Sequence, residues 1–97
     1  MKTVFIAYDQ ANHENVMEVL NRTNIKGFSL LQQVMGRGTN TGEPHMGSHA
    51  WPTMNSAIIT VVEDDIVDVL LKRLKQVDDD NEMLGLRAFV WNVEKMI

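Results

Sequence analysis

The sequence predicts an α+β fold in which a four-stranded antiparallel sheet carries two helices on one face. Two observations lead to it. Stretches with strand and helix periodicity follow one another in the order strand, helix, strand, long loop, strand, helix, strand. Several strands are also apolar on both faces, as Phe5 beside Ile6 and Ile58 beside Ile59 illustrate. A chain of 97 residues suffices for one core, so we expect a single domain over residues 1–97.

The first half of the chain supplies a strand, a helix and a second strand. Residues 3–8 form a short, nearly continuous apolar run that is typical of a buried strand. The following helix places one apolar face inward, made of Val16, Val19, Leu20 and Thr23. Residues 28–35 alternate in a way that predicts the second strand. Asp9 and His13, between the first strand and the helix, could pair as carboxylate and imidazole, although both positions suit helix caps.

The second half of the chain, after the long loop, again supplies a strand, a helix and a strand. Residues 54–62 are the clearest strand of the chain, and the acidic residues 63–65 suit the start of a helix. The predicted inner face of that helix consists of Ile66, Val69, Leu70, Leu74 and Val77. The acidic run 78–82 should end it, and 86–93 should form a last strand with Phe89 and Trp91 on one face.

Two right-handed strand–helix–strand units joined in this order form a ferredoxin-like βαββαβ sandwich. With both helices on one side, the second face of the sheet lacks a cover within the chain. Because that face is apolar, we expect it to be buried against other subunits in an oligomer.

Composition excludes several classes of function. The net charge of −4 and the scattered basic residues argue against nucleic-acid binding. The chain has no cysteine, which excludes disulfides and thiolate chemistry. The apolar run at its start is too short for a signal peptide or a membrane span, so we expect a cytoplasmic protein without membrane insertion. No serine, histidine and acid are spaced as a nucleophilic site requires, and we therefore expect no catalytic residues and no enzyme.

Residues 36–52 carry most of the chemical information. They contain four glycines and both prolines and show neither strand nor helix periodicity. Connections in small domains are usually much shorter, so a loop of this length is expected to be functional or mobile. At its start, Gly36 and Gly38 could offer backbone N–H groups to an anion beside Arg37. The same glycines would equally suit a hairpin exit with positive φ angles.

The loop also contains candidate metal ligands. His45 and His49 could converge on one ion with Glu43 or Met46 close by. Imidazole with carboxylate suits zinc, whereas imidazole with thioether suits copper. Alternatively, the two histidines only form local hydrogen bonds within a polar loop.

The chain resembles the P-II family of signalling proteins over nearly its whole length, most clearly at 27–29, 34–38, 63–68 and 87–93. The resemblance implies a homotrimer that binds ligands between subunits and reports through residues 36–52, the equivalent of the family's T-loop. It places Ser29 near an adenine, Gly36 and Gly38 at the loop base, Asn40 near a magnesium and 2-oxoglutarate site, and Arg87 at a phosphate.

One segment departs from the family pattern. The glycine-rich phosphate loop is replaced by residues 78–86, which contain four carboxylates. Because these would repel a triphosphate, the departure weighs against binding of ATP, ADP and 2-oxoglutarate. Some P-II-like groups are associated with metal efflux, and the histidines of the loop fit that association.

We therefore expect a regulator that senses a small ligand or a metal ion, copper or zinc, between subunits. Its 36–52 loop would contact a partner protein, such as a membrane transporter or a metal-efflux system. The first alternative is a metal-tolerance protein resembling the CutA family, and the second is a small ferredoxin-like enzyme.

Overall fold

The computed structural model of the chain describes residues 1–37, 44–45 and 54–97, and of residues 36–37 and 44–45 only the backbone. Two short 3-10 turns, Gln10–Asn12 and Asp64–Ile66, lead into the two helices. The elements of the described chain are β1 (Lys2–Asp9), α1 (His13–Arg22), β2 (Ser29–Val34), β3 (Gly36–Arg37), β4 (Pro44–His45), β5 (Asn55–Val62), α2 (Val67–Asp80) and β6 (Leu86–Asn92).

The main sheet confirms the predicted fold class. Its strand order is β2-β5-β1-β6, and every neighbouring pair in it is antiparallel. The central strand β1 pairs along its length with β5 and β6, so that Phe5 lies opposite both Ile59 and Phe89. The two edge strands of the sheet are β2, which follows α1 in the chain, and β6, which follows α2.

The core lies between the sheet and the two helices. The inward side chains of β1 are Val4, Ile6 and Tyr8, all fully or almost fully buried. They pack with residues of the other elements in one cluster, whose buried members include Val16, Val19, Leu20, Ile25, Ile58, Val62, Leu70, Leu74 and Leu86. The predicted inner face of α1 is thus confirmed, including Thr23, which is also buried.

The end of α1 explains how the chain turns toward β2. Asn24 has a positive φ of 61°, a conformation that asparagine tolerates better than most residues. Its N–H donates to the Asn21 carbonyl, and the next N–H, of Ile25, donates to the Leu20 carbonyl. This pair of bonds is a Schellman motif, and it directs Ile25 back into the core.

The prediction of the inner face of α2 is wrong at one residue. Leu70 and Leu74 are buried as expected, but the Val69 side chain remains 37% exposed. Val67 packs against the core instead, together with Ile66 and Val77. Positions 67, 70 and 74 follow the three- and four-residue spacing of a helix stripe, and position 69 lies about 100° or more around the helix from each of them.

The sheet face away from the helices is largely apolar and uncovered. Register places Phe89, Phe5 and Ile59 in one row across it and Trp91, Thr3 and Val61 in the next. Among the side chains of this outer face, Phe89 is 55% and Trp91 51% exposed, and Leu31, Ile59 and Val61 are also exposed. A patch of this composition is unusual on a monomer and indicates a contact surface.

The boundaries differ slightly from the sequence-based ones, and one pairing was not predicted. α2 extends into the acidic run as far as Asp80, where a helix C-terminus disfavours negative charge. Residues 36–52 were predicted to form a loop, and β3 and β4 form a short antiparallel ladder inside it. Within the described ranges, no helix has the length and apolar character needed to cross a membrane.

Candidate ligand site and loop base

Ser29 and Arg87, the predicted ligand-binding residues with described side chains, both lie exposed on the outer face of the sheet. Ser29 begins β2 and pairs with Ile59, whereas Arg87 lies on β6 and pairs with Ala7. Because β2 and β6 are the two edge strands, three strand spacings separate them, which amounts to about 14 Å. One small ligand therefore cannot be held closely by both residues of the same chain.

The surroundings of Arg87 are of mixed charge. A 2.6 Å ion pair to Asp79 raises the pKa of Lys75, and Arg87, a nearby cation, opposes that rise in pKa to a smaller extent. Arg87 thus lies within electrostatic range of Lys75, whose ammonium is already neutralised by a carboxylate. Residues 78–82, which precede Arg87 in the sequence, add further acidic side chains.

The other predicted site residues belong to the 36–52 loop. The backbone pairs Gly36 with His45 and Arg37 with Pro44, so the start of the loop lies beside the predicted metal ligand His45. The remaining predicted residues lie outside the described ranges: Gly38, Asn40, Glu43, Met46 and His49. In the part of the chain that is described, no three His, Asp or Glu side chains are grouped to hold a metal ion.

A β-bulge lies immediately before this loop. Between the pairs Leu31–Ala57 and Val34–Asn55, the two residues Gln32 and Gln33 lie opposite the single residue Ser56. The Gln32 carbonyl accepts hydrogen bonds from the Ser56 hydroxyl at 2.8 Å and from the Gln10 side-chain amide at 2.5 Å. Two side chains from neighbouring segments therefore hold the strand at the point where the loop begins.

A buried polar chain continues from Ser56 toward α1. Tyr8 lies opposite Ser56 in the sheet, and both side chains are buried. The Tyr8 hydroxyl is also 2.7 Å from Nδ1 of His13, and the two rings stack. Burial raises the pKa of Tyr8, and the Ser56 hydroxyl on the neighbouring strand opposes this rise only in part, so the Tyr8 hydroxyl keeps its proton at neutral pH.

Sequence reasoning missed most of this network. The cap expected at Asp9 is confirmed, since its carboxylate accepts from the Ala11 N–H at 2.8 Å. For His13, however, the sequence suggested Asp9 or a cap, and the structure gives it Tyr8 as a partner. The available signal was the position of Tyr8, a polar-tipped aromatic on the inward face of β1, which needs a buried hydrogen-bond partner.

The family model described as "Nitrogen regulatory protein P-II" matches residues 1–97. The chain therefore belongs to the P-II family, and the resemblance noted in the sequence is confirmed. Comparison with curated protein sequences gives no significant match.

Solved structures of P-II-like proteins share the fold. CPII from Thiomonas intermedia K12, in complex with ADP and bicarbonate, superposes with a TM-score of 0.71 at 22% identity, over 93% of this chain and 82% of that one. A second CPII structure, bound to ADP, AMP and bicarbonate, gives 0.71 at 21% identity over 99% and 94%. A PII-like signaling protein from Thermus thermophilus gives 0.66 at 23% identity over 95% and 85%. At identities of 21–23%, the similarity to these structures shows that the chain shares their fold.

Proposed function

We propose that the protein is a cytoplasmic P-II-like regulator that binds a small ligand between the subunits of a homotrimer. The observation that carries this proposal is the position of Ser29 and Arg87 on opposite edges of the outer sheet face. In a closed ring, every contact joins two different surfaces of the subunit, so the β2 edge of one copy can meet the β6 edge of the next. The apolar outer face supplies the surface that such a ring would bury.

The proposed ligand is an adenine nucleotide with few phosphates. The family resemblance assigns Ser29 to the base and Arg87 to a phosphate. Close to Arg87, Lys75 is engaged by Asp79, and other carboxylates of the 78–82 run add negative charge. Each additional phosphate would bring more negative charge toward this acidic run, so AMP should bind more tightly than ADP, and ADP more tightly than ATP.

Calorimetric titration with the three nucleotides tests this order. We expect AMP to bind tightest and Arg87→Ala to weaken it by about tenfold or more, because a charge-assisted bond to phosphate is lost. Arg22→Ala is the matched control, since this exposed arginine lies on α1 and pairs only weakly with Glu18 at 4.0 Å. Tighter binding of ATP than of AMP, or equal effects of the two substitutions, would contradict the proposal.

A second candidate ligand is a copper or zinc ion bound by the loop. Its support is the backbone pairing that places His45 at the base of the loop, together with the nearby residues Glu43, Met46 and His49 in the sequence. We expect a titration with Cu²⁺ or Zn²⁺ to release heat with the wild type and not with the His45→Ala/His49→Ala variant. His13→Ala is the control for a histidine outside the loop. Absence of heat with both metals in the wild type would eliminate this candidate.

The output of the regulator is proposed to be the 36–52 loop. It begins at a bulge held by Ser56 and Gln10, so changes in the neighbouring strands can reach its base. The proposed target is a protein such as a membrane transporter or a metal-efflux system. The CutA-like and enzymatic alternatives receive no comparable support, because the matching family is one of regulatory proteins.

A further inference from the structure

We propose that the Gln10 side chain positions the start of the 36–52 loop relative to the turn that precedes Arg87. Gln10 begins the 3-10 turn between β1 and α1, and its backbone and its side chain bind different segments of the chain. The regulatory role of this positioning rests on the proposed function, in which Arg87 binds the ligand and the loop carries the output.

Asp9 and Gln10 are bonded to segments on both sides of β1. The Asp9 N–H donates to the Gly85 carbonyl at 2.9 Å, one step beyond the last pair of β1 with β6. The Gln10 N–H donates to the Met54 carbonyl at 2.7 Å, where the chain returns from the loop. The Asp9 carboxylate also accepts from the Ala11 N–H, which fixes the corner between β1 and α1. The turn that follows α2 and the end of the loop are therefore bound to two consecutive residues, joined by one planar peptide bond.

The Gln10 side chain connects the start of the loop to this corner. Strand β5 lies between β1 and β2, so backbone pairing does not join those two strands directly. The side-chain amide of Gln10 nevertheless donates to the Gln32 carbonyl of β2 at 2.5 Å. The second donor to that carbonyl is Ser56, which belongs to β5 and is buried there. Gln32 is thus bound by one donor from the sheet and by one from the β1–α1 corner.

The β-bulge makes the position of Gln32 depend on these side chains. Gln32 and Gln33 lie opposite the single residue Ser56, and a bulge interrupts the ladder of backbone hydrogen bonds. Without the Gln10 amide, the Gln32 carbonyl would keep only the sheet-bound donor, which does not move with the corner. A displacement of the turn at Gly85 is therefore expected to reach Gln32 through Gln10.

NMR of the free protein tests this connection. The ¹⁵N shift of an amide reports the hydrogen bonds that the preceding carbonyl accepts, so three nitrogens report the three contacts of the corner: Leu86, Asn55 and Gln33. Asn81→Ala perturbs the turn, because the Asn81 side chain donates to the Val77 carbonyl at the end of α2. We expect all three nitrogen shifts to change in this variant.

Gln10→Met keeps the length of the side chain but removes its donor, and it should abolish the Gln33 response to Asn81→Ala. The other two nitrogens should still respond, because they report backbone hydrogen bonds. Ser56→Ala is the matched control, since it removes the other donor to the same carbonyl and should leave the Gln33 response in place. In a second series AMP replaces Asn81→Ala as the perturbation, with the same pattern expected.

A Gln33 shift that ignores Asn81→Ala while the other two nitrogens respond would overturn the proposal. The same holds for a Gln33 shift that responds equally with and without the Gln10 amide. Failure of AMP to bind would contradict the proposed function alone, and the substitution series in the free protein would still decide whether Gln10 connects the turn to the loop.

Discussion

Phe89→Glu is expected to convert the proposed trimer into a monomer. Phe89 lies on the outer face of the sheet, more than half exposed, in one row with Phe5 and Ile59. If three copies bury this face, a carboxylate at position 89 would lose its hydration without a partner, at a cost of several kcal/mol per subunit. The helix-side core does not contain Phe89, so the subunit itself should remain folded.

Sedimentation analysis measures this effect directly. The wild type should have three times the 11.0 kDa mass of one chain, and the variant should have the mass of a single chain with an unchanged far-ultraviolet spectrum. Asn21→Glu adds the same charge on an exposed position of α1 and should leave the trimer intact. A Phe89→Glu protein that still sediments as the wild type does would show that the outer face is not the contact surface.

The second large effect, a loss of stability, is expected from a substitution in the core. Leu74 of α2 is 1% exposed and belongs to the central cluster, so Leu74→Ala should lower the free energy of unfolding by about 3 kcal/mol. Val69→Ala on the same helix is the control. Because Val69 is substantially exposed, its truncation should cost less than about 1 kcal/mol.

Urea denaturation at one fixed protein concentration compares the two variants, since assembly contributes to apparent stability. The pair also tests which face of α2 is buried. If Val69→Ala cost as much as Leu74→Ala, the inner face derived from the sequence would be right and the one seen in the structure wrong.

The main sheet was predictable because its signals are local and repeated. Val4, Ile6 and Tyr8 alternate with outward residues along β1, and the period of two alone assigns them to one face. The inner faces of both helices were predictable in the same way, from apolar residues spaced three or four positions apart. Val69 was misassigned because Val67 and Val69 are equally apolar, and only the packing of α2 decides which of them is turned inward.

The loop base was not predictable for a different reason. Gln32 and Gln33 are both polar, so no apolar alternation marks the bulge that shifts their register against Ser56. The His13–Tyr8 contact joins a helix start to a strand whose neighbours are known only once the sheet is assembled. Family resemblance indicated Ser29 and Arg87, but their location on opposite edges requires the strand order.

The most direct test of a ligand bound between subunits is a mixing experiment with two defective variants. Ser29→Leu alters the β2 edge and Arg87→Ala the β6 edge, and each alone should lose most AMP binding in calorimetry. When the two variants are unfolded together and refolded at equal amounts, rings form in which some contacts combine two intact edges. About a quarter of the sites should then bind AMP as the wild type does, because each site takes its edges from neighbouring subunits. Mixing that restores no binding, although the subunits exchange, would contradict a site shared between chains.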